Sequence, residues 1–259
     1  MELKLYQIDA FANKPFEGNP AAICPLDNWL PDALMQSIAA ENNLSETAFI
    51  VPTDKGYHIR WFTPLHEVDL CGHATLASAY VIFNILEYQK EEISFESKSG
   101  ILTVTKNDDW LEMDFPSKVP VECSVPEQIL KAFSTRPTEC LKADDYIVVF
   151  ENEANIANAK PDIALLAELD LRGVVITAKS KEYDFVVRFF VPKHGIDEDP
   201  VTGSVFTQLI PYWSDKLDKR QLTAKQVSAR GGEVGCVDAG DRVKISGRAV
   251  QYMAGIIYV

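Results

Sequence analysis

Two stretches of the chain echo one another. Arg60-Trp61-Phe62-Thr63-Pro64-Leu65-His66-Glu67-Val68-Asp69 and Arg188-Phe189-Phe190-Val191-Pro192-Lys193-His194-Gly195-Ile196-Asp197 share the frame R-x-F-x-P-x-H-x-x-D, 128 residues apart in a chain of 259. A repeat of this period constrains the architecture before any local signal does. Two copies describe a pair of similar lobes, because a solenoid needs three or more units to bury its stacking faces. Each copy runs from a strand-like segment into a turn and then into an apolar helix, read here as Gly72 to Leu86 and Gly203 to Ile210. If the lobes face each other, two helix N-termini open into one cleft. Their unpaired N–H groups are suited to an anion.

The rest of the chain is consistent with that plan. Strand-like alternation covers Leu3–Phe11, Thr47–Val51, Tyr57–Phe62, Ile93–Glu96, Ile101–Lys106 and Trp110–Phe115, and later Tyr146–Phe150, Val174–Thr177 and Phe185–Val191. Helical spacing covers Pro31–Asn43, Pro126–Phe133 and Ile163–Leu169. The helix after Gly72 is apolar on every side, through Leu76, Ala77, Ala79, Val81, Phe83 and Leu86. Such a helix is buried all round, so a sheet must wrap it. Pro211 is expected to kink or stop the second helix, since it removes a backbone donor. The fold class is therefore α+β: two pseudo-symmetric lobes, each a curled, mostly antiparallel sheet around a central buried helix. The proline-rich segment Pro116 to Pro126 places the boundary, with residues 1–117 as the N-terminal lobe, completed by a C-terminal strand 250–259, and residues 118–249 as the other.

Composition narrows the function. A net charge of −13 disfavours nucleic acid and anionic membranes as partners. It leaves room for a small anionic substrate at a locally positive helix end. Five scattered cysteines with no C-x-x-C pair indicate a reduced, cytoplasmic setting rather than a zinc ribbon. The start of the chain lacks the pattern of a signal peptide, and Ala74 to Leu86 is too short for a membrane span. No glycine-rich phosphate loop follows a strand, so neither NAD nor ATP is indicated, and the expected cofactor set is empty.

Four motifs in order carry a family likeness. They are Asp9-Ala10-Phe11 with Pro15-Phe16-Glu17-Gly18-Asn19-Pro20-Ala21-Ala22; Asn43-Leu44-Ser45-Glu46-Thr47-Ala48-Phe49; Phe62-Thr63-Pro64 with Glu67-Val68-Asp69-Leu70-Cys71-Gly72-His73-Ala74-Thr75; and Glu198-Asp199-Pro200-Val201-Thr202-Gly203-Ser204. With them the chain resembles the PhzF-like isomerases of phenazine biosynthesis, which have the diaminopimelate-epimerase-like fold. The likeness is looser after Ser214, at Gln226 and Arg230. It implies two barrel-like lobes, a homodimer, and a cofactor-independent isomerase acting on a small carboxylate substrate.

Read from the residues, Glu46 is a carboxylate opening an apolar strand, costly unless it has a partner or a role. Burial raises the pKa of such a group, as a general base requires. The bland alternative is a solvated loop carboxylate. The resemblance assigns Glu46 as catalytic acid/base. Gly72 and His73 open the first buried helix, where glycine permits close approach and histidine can hold or relay a proton. A helix-capping histidine is the alternative. Asp199, Thr202, Gly203 and Ser204 form the matching entrance to the second helix, or simply an N-cap cluster. The resemblance carries site roles onto His73, Asp199 and Ser204; His73 and Asp199 are expected among the catalytic residues, and Gly72, Thr202, Gly203 and Ser204 among the substrate-binding ones. Asn19, between Gly18 and Pro20, either lines the site or serves its turn.

Cys71-Gly72 matches half of a two-thiol racemase. The second half reads as Pro200-Val201, so Cys71 is expected to be a packed thiol. His66 and His194, with Asp69 and Asp197, give too weak a pattern for a metal, and turn-stabilising bonds are expected there. The alternatives to a proton-shifting isomerase are an amino-acid epimerase and a non-enzymatic small-molecule binder on the same scaffold.

Overall fold

A computed structural model describes residues 1–259. The elements run β1 (Glu2–Ala10), β2 (Asn19–Pro25), α1 (Asp32–Asn42), β3 (Glu46–Thr53), β4 (Gly56–Phe62), β5 (Glu67–Val68), α2 (Gly72–Asn84), β6 (Glu92–Ser97), β7 (Gly100–Asn107) and β8 (Trp110–Pro116). They continue with β9 (Val121–Glu122), α3 (Glu127–Ala132), β10 (Glu139–Lys142), β11 (Tyr146–Val149), α4 (Glu153–Ala157), α5 (Ile163–Ala167), β12 (Val174–Lys179) and β13 (Phe185–Val191). Last come a 3-10 turn (Pro192–His194), β14 (Ile196–Asp199), α6 (Gly203–Leu217), β15 (Gln221–Gln226), β16 (Gly232–Asp238), β17 (Arg242–Gly247) and β18 (Ala249–Tyr258). The chain forms two compact units, Met1–Asp114 with Ser246–Val259, and Phe115–Ile245.

In the first unit β1 lies antiparallel between β18 and β2. Strand β2 then runs parallel to β3, β3 antiparallel to β4, β4 parallel to β6, and β6 antiparallel to β7, with β5 flanking β4. The sheet curls around α2, which touches β1, β2, β3, β7 and β18. Its residues from His73 to Phe83 are buried except Tyr80, as an all-round apolar helix demands. The outer face of the sheet packs Phe49, Phe62 and Ala22 against Met35, Ile38 and Ala39 of α1.

The second unit repeats this pairing scheme strand for strand. Strand β11 is parallel to β12, β12 antiparallel to β13, β13 parallel to β15, and β15 antiparallel to β16, with β14 flanking β13. Helix α6 packs on β15 and β16, and a separate core joins Ile129, Phe133, Ile156 and Leu166 of α3, α4, α5 and their flanks to Val148, Ile176 and Phe190. The α+β class is as the sequence predicts.

The repeat holds as a physical device. Arg60 forks onto Glu67 at 2.7 and 2.9 Å and lies over the Phe62 ring; Arg188 forks onto Glu198 at 2.8 Å twice and lies over Phe190. Such planar two-point pairing is specific to arginine. The frame read from the sequence slips, however. Glu67 to Glu198 and Gly72 to Gly203 are both 131 residues apart, three more than Arg60 to Arg188. The extra residues form the 3-10 turn ending at Gly195, whose φ of 82° suits glycine. Asp69 and Asp197 are therefore not counterparts. At the first turn the backbone N–H of His66 donates to Thr63 Oγ1 at 3.0 Å, so the turn-stabilising bond there uses the main chain of His66.

Pro211 does not end the second helix, which continues to Leu217. The carbonyl that Pro211 leaves without a helical donor is that of Thr207, four residues earlier. The N–H of Lys118 donates to it at 3.0 Å. Buried Tyr212 and Trp213 then reward continuation, with the Trp213 ring stacked on Phe185 at 5.5 Å.

Candidate functional site

In the first unit, Asn19, Glu46 and His73 come together at three element starts. Glu46 is the first residue of β3 and pairs in register with Ala21 of β2, two residues from Asn19. Gly18 makes that start possible. It has φ of +65°, and a Cβ there would lie 2.0 Å from the Ala10 carbonyl oxygen. Asn19 is fully buried as a result. Helix α2 begins at Gly72 after an extended Cys71, with no side-chain cap. The N–H groups of Gly72, His73 and Ala74 have no helical acceptor, which leaves partial positive charge at this opening.

The hydrogen bonds determine where the protons sit. Ser45 Oγ donates to Asn19 Oδ1 at 3.4 Å, which turns the amide nitrogen of Asn19 toward His73 Nδ1, also 3.4 Å away. An amide nitrogen only donates, so Nδ1 accepts. Cys71 Sγ lies 3.5 Å from the same nitrogen, and its thiol is likewise a donor. The ring proton therefore resides on Nε2, which faces Glu46 Oε2 at 3.2 Å. Burial pushes the imidazole down to about 3, so it is neutral at physiological pH. The Glu46 carboxylate thus lies beside a neutral N–H at close contact distance, although this approach does not meet hydrogen-bond geometry. The neutral ring adds no positive charge that would hold the carboxylate ionised. The Glu46 side chain remains 18% exposed, so one edge stays accessible.

Glu46, Cys71 and His73 also present ligand atoms within 4.8 Å of one another. Cys71 lies beside Nδ1 and Glu46 beside Nε2, so the two bracket the ring rather than converge on one nitrogen. That arrangement suits a proton relay better than a shared ion.

In the second unit, Asp199, Thr202, Gly203 and Ser204 come together at the start of α6. Asp199 is buried at the end of β14, and the Thr202 hydroxyl donates to its Oδ2. The bland reading of this group as an N-cap does not hold. Thr202 occupies the cap position, but its side chain makes no cap bond, and its hydroxyl donates to Asp199 instead. The first-turn amides again lack helical acceptors. The residue in Cys71's place before the helix glycine is Thr202, not Pro200-Val201 as expected from the sequence. A threonine hydroxyl is no base at neutral pH, so a two-thiol arrangement is still incomplete.

Two further groups hold this opening; the sequence reading notes Gln226 only as a loose match and passes over Arg172. Gln226, fully buried, donates to the Asp199 carbonyl at 2.7 Å and accepts from the Thr202 N–H at 3.0 Å, stapling the loop between them. Arg172 donates to Ser204 Oγ at 3.1 Å while its fork grips Asp145 at 2.9 and 2.5 Å. Asp145 is fully buried and takes a third bond from Gln208 at 2.8 Å. With Arg172 occupying a lone pair of Ser204, the serine proton is directed elsewhere. Nothing in the order Leu171-Arg172-Gly173 signals this. The Asp144-Asp145 pair reads as an ordinary turn, and its partners lie 27 and 63 residues away.

These geometries accompany close relatives over the whole chain. The profile described as phenazine biosynthesis-like protein matches residues 8–255. An uncharacterized isomerase of Pseudomonas aeruginosa is 51% identical over 259 residues, covering 100% of both chains. A crystal structure of a PhzF-family phenazine biosynthesis protein from Enterococcus faecalis has a TM-score of 0.98 at 45% identity, covering 100% of both. A hydroxyproline epimerase from Agrobacterium vitis shares the fold alone, with a TM-score of 0.60 at 10% identity over 99% of this chain and 91% of its own. Profile, identity and fold agree over the full length, and the chain belongs to the phenazine biosynthesis-like (PhzC-PhzF) protein family.

Proposed function

We propose that this protein is an isomerase that moves a proton between carbons of a small amino or hydroxy acid, with Glu46 as the acid/base. The observation that carries the reading is the contact between Glu46 and a buried neutral His73, 3.2 Å apart. A carboxylate in contact with a neutral imidazole, which adds no positive charge to hold it ionised, is suited to accept a proton from an activated carbon and return it. The amides that open α2 are suited to an anionic group of the substrate. His73 presents its Nε2–H side to Glu46, and Asn19 and Ser45 fix the tautomer that does so. In the second unit, Asp199 and the α6 opening form a polar element of its own, with a carboxylate that can accept and first-turn amides that can donate. The isomerase relatives support the reaction class.

An epimerase differs in the carbon that is labelled. Incubated in deuterium oxide with a panel of unsaturated and saturated cyclic amino and hydroxy acids, the enzyme is expected to place deuterium on a carbon other than the one that loses hydrogen. Labelling of the α-carbon in both stereoisomers would instead establish an epimerase. Recovery of every bound acid unlabelled and unchanged would favour the binder.

We also propose that the working form is a homodimer joined through β18. Residues 249–259 carry no charged side chain in a chain of net charge −13. Tyr252, Met253, Ile256 and Tyr258 are all exposed along that strand. Such a strand is a template for pairing with another chain, and the lack of like charge there removes the repulsion found elsewhere. Sedimentation equilibrium should give a dimer for the native chain and a monomer for Met253→Lys with Ile256→Lys. A dimer of undiminished affinity in that variant would exclude this surface.

A further inference from the structure

Two of the five thiols lie against each other in the second unit, away from the residues discussed above. Strand β9 pairs with β10 through Val121↔Lys142 and Glu122↔Leu141. The next rung is Cys123 opposite Cys140, and the Cys123 N–H donates to the Cys140 carbonyl at 3.0 Å. The two Sγ atoms are 3.7 Å apart. Opposed residues on a hydrogen-bonded antiparallel rung have Cα atoms about 5.5 Å apart. That separation falls inside the range a disulfide spans, about 4.4–6.8 Å. The sulfurs must close to about 2.05 Å, a change within reach of side-chain rotation. The remaining thiols are placed differently: Cys24 bonds the Lys4 carbonyl, Cys236 the Val234 carbonyl, and Cys71 lies against His73.

We propose that Cys123 and Cys140 form a reversible dithiol–disulfide site that a hydroperoxide oxidises. Cys123 is partly exposed, whereas Cys140 is buried. Burial, reinforced by Cys123, pushes the Cys140 thiol up to about 12, so the first attack falls to Cys123. Its thiolate attacks the peroxide; an S–O bond forms, the O–O bond breaks, and the departing hydroxide takes a proton to become water. The Cys140 sulfur then attacks the sulfenic sulfur of Cys123. An S–S bond forms, the S–O bond breaks, and the oxygen leaves as a second water with the Cys140 proton. Two thiols and hydrogen peroxide thus become one disulfide and two waters.

The bond would close a loop containing α3 and fasten the two-residue strand β9 to its neighbour. Without it β9 is a short edge, the kind of segment that opens most readily.

The test uses the full-length reduced protein treated with hydrogen peroxide and then alkylated in denaturant. Alkylation is expected to fall from five thiols to three, with a single non-reduced cross-linked peptide pair joining Cys123 to Cys140. A dithiol reductant should restore all five. The oxidised protein should melt a few degrees higher, about 5 °C on the usual scale for a loop of this length. In Cys140→Ser, peroxide should carry Cys123 onward to sulfinic acid rather than to a cross-link. Sulfinic acid at Cys123 in the native chain, a cross-link through any other cysteine, or five thiols still alkylated after peroxide would each overturn the proposal.

Discussion

Replacing Glu46 by Gln is expected to leave a folded, ligand-binding protein whose turnover is lower by at least ~100-fold, the usual scale for losing a positioned acid/base. The amide has the same length, and its oxygen can occupy the position now 3.2 Å from His73 Nε2. The change therefore removes basicity and spares packing. Turnover would be followed with the acid identified by deuterium exchange, binding by calorimetry, and folding by the thermal melt. Because burial holds His73 down to about 3, its protonation contributes no limb to the rate profile between pH 5 and 8. Nitrogen NMR should report one neutral tautomer across that window, with the proton on Nε2. The folded value lies below the unfolded one, so His73's contribution is complete above about 6.5 and is lost as pH falls toward 3. Wild-type turnover in Glu46→Gln would move the base elsewhere and end the proposed mechanism.

Arg172→Met should destabilise the protein by about 3 kcal/mol, at the lower end of the cost of stranding a buried charge. The lower end applies because Arg172 is 31% exposed while Asp145 is not exposed at all. Methionine fills much of the same volume but leaves Asp145 with Gln208 and no counter-charge. Urea unfolding of the single variants and of Arg172→Met with Asp145→Asn would measure the coupling. The double variant should recover a large part of the loss, since removing both charges costs far less than stranding one. Single and double variants that lose equal stability would show that Asp145 is not the group held by Arg172. Ser204 supplies a separate readout. With its Arg172 bond gone, the serine is freed to rotate, so affinity for carboxylate ligands should fall even where the fold survives.

Much of the architecture was legible because it depends on local pattern. The alternation of Tyr57–Phe62 and Phe185–Val191 and the unbroken apolar surface of α2 specify strands and a wrapped helix wherever they occur. A carboxylate opening an apolar strand drew attention to Glu46 because it is costly without a partner, but it was the likeness to the PhzF-like isomerases that singled out Glu46, His73 and Asp199 as site residues. The short elements were not legible. Strand β10 and helix α4, at Glu139–Lys142 and Glu153–Ala157, are too brief for a period to emerge and exist through their neighbours.

By itself, then, the order of residues determined a duplicated α+β plan, with a glycine-led buried helix in each half and a carboxylate at the head of β3. Tertiary structure alone decided three other things. It set the three-residue slip that pairs Cys71 with Thr202, and it supplied the Lys118 donor that lets α6 pass through Pro211. It also decided which partners hold the two helix openings, from the Ser45–Asn19–His73 chain to the Arg172 grip on Asp145. The reason is common to all three. Periodicity encodes which face of an element is buried, whereas a hydrogen bond between residues 27 or 63 positions apart depends on where folding brings their backbones, and no local pattern records that.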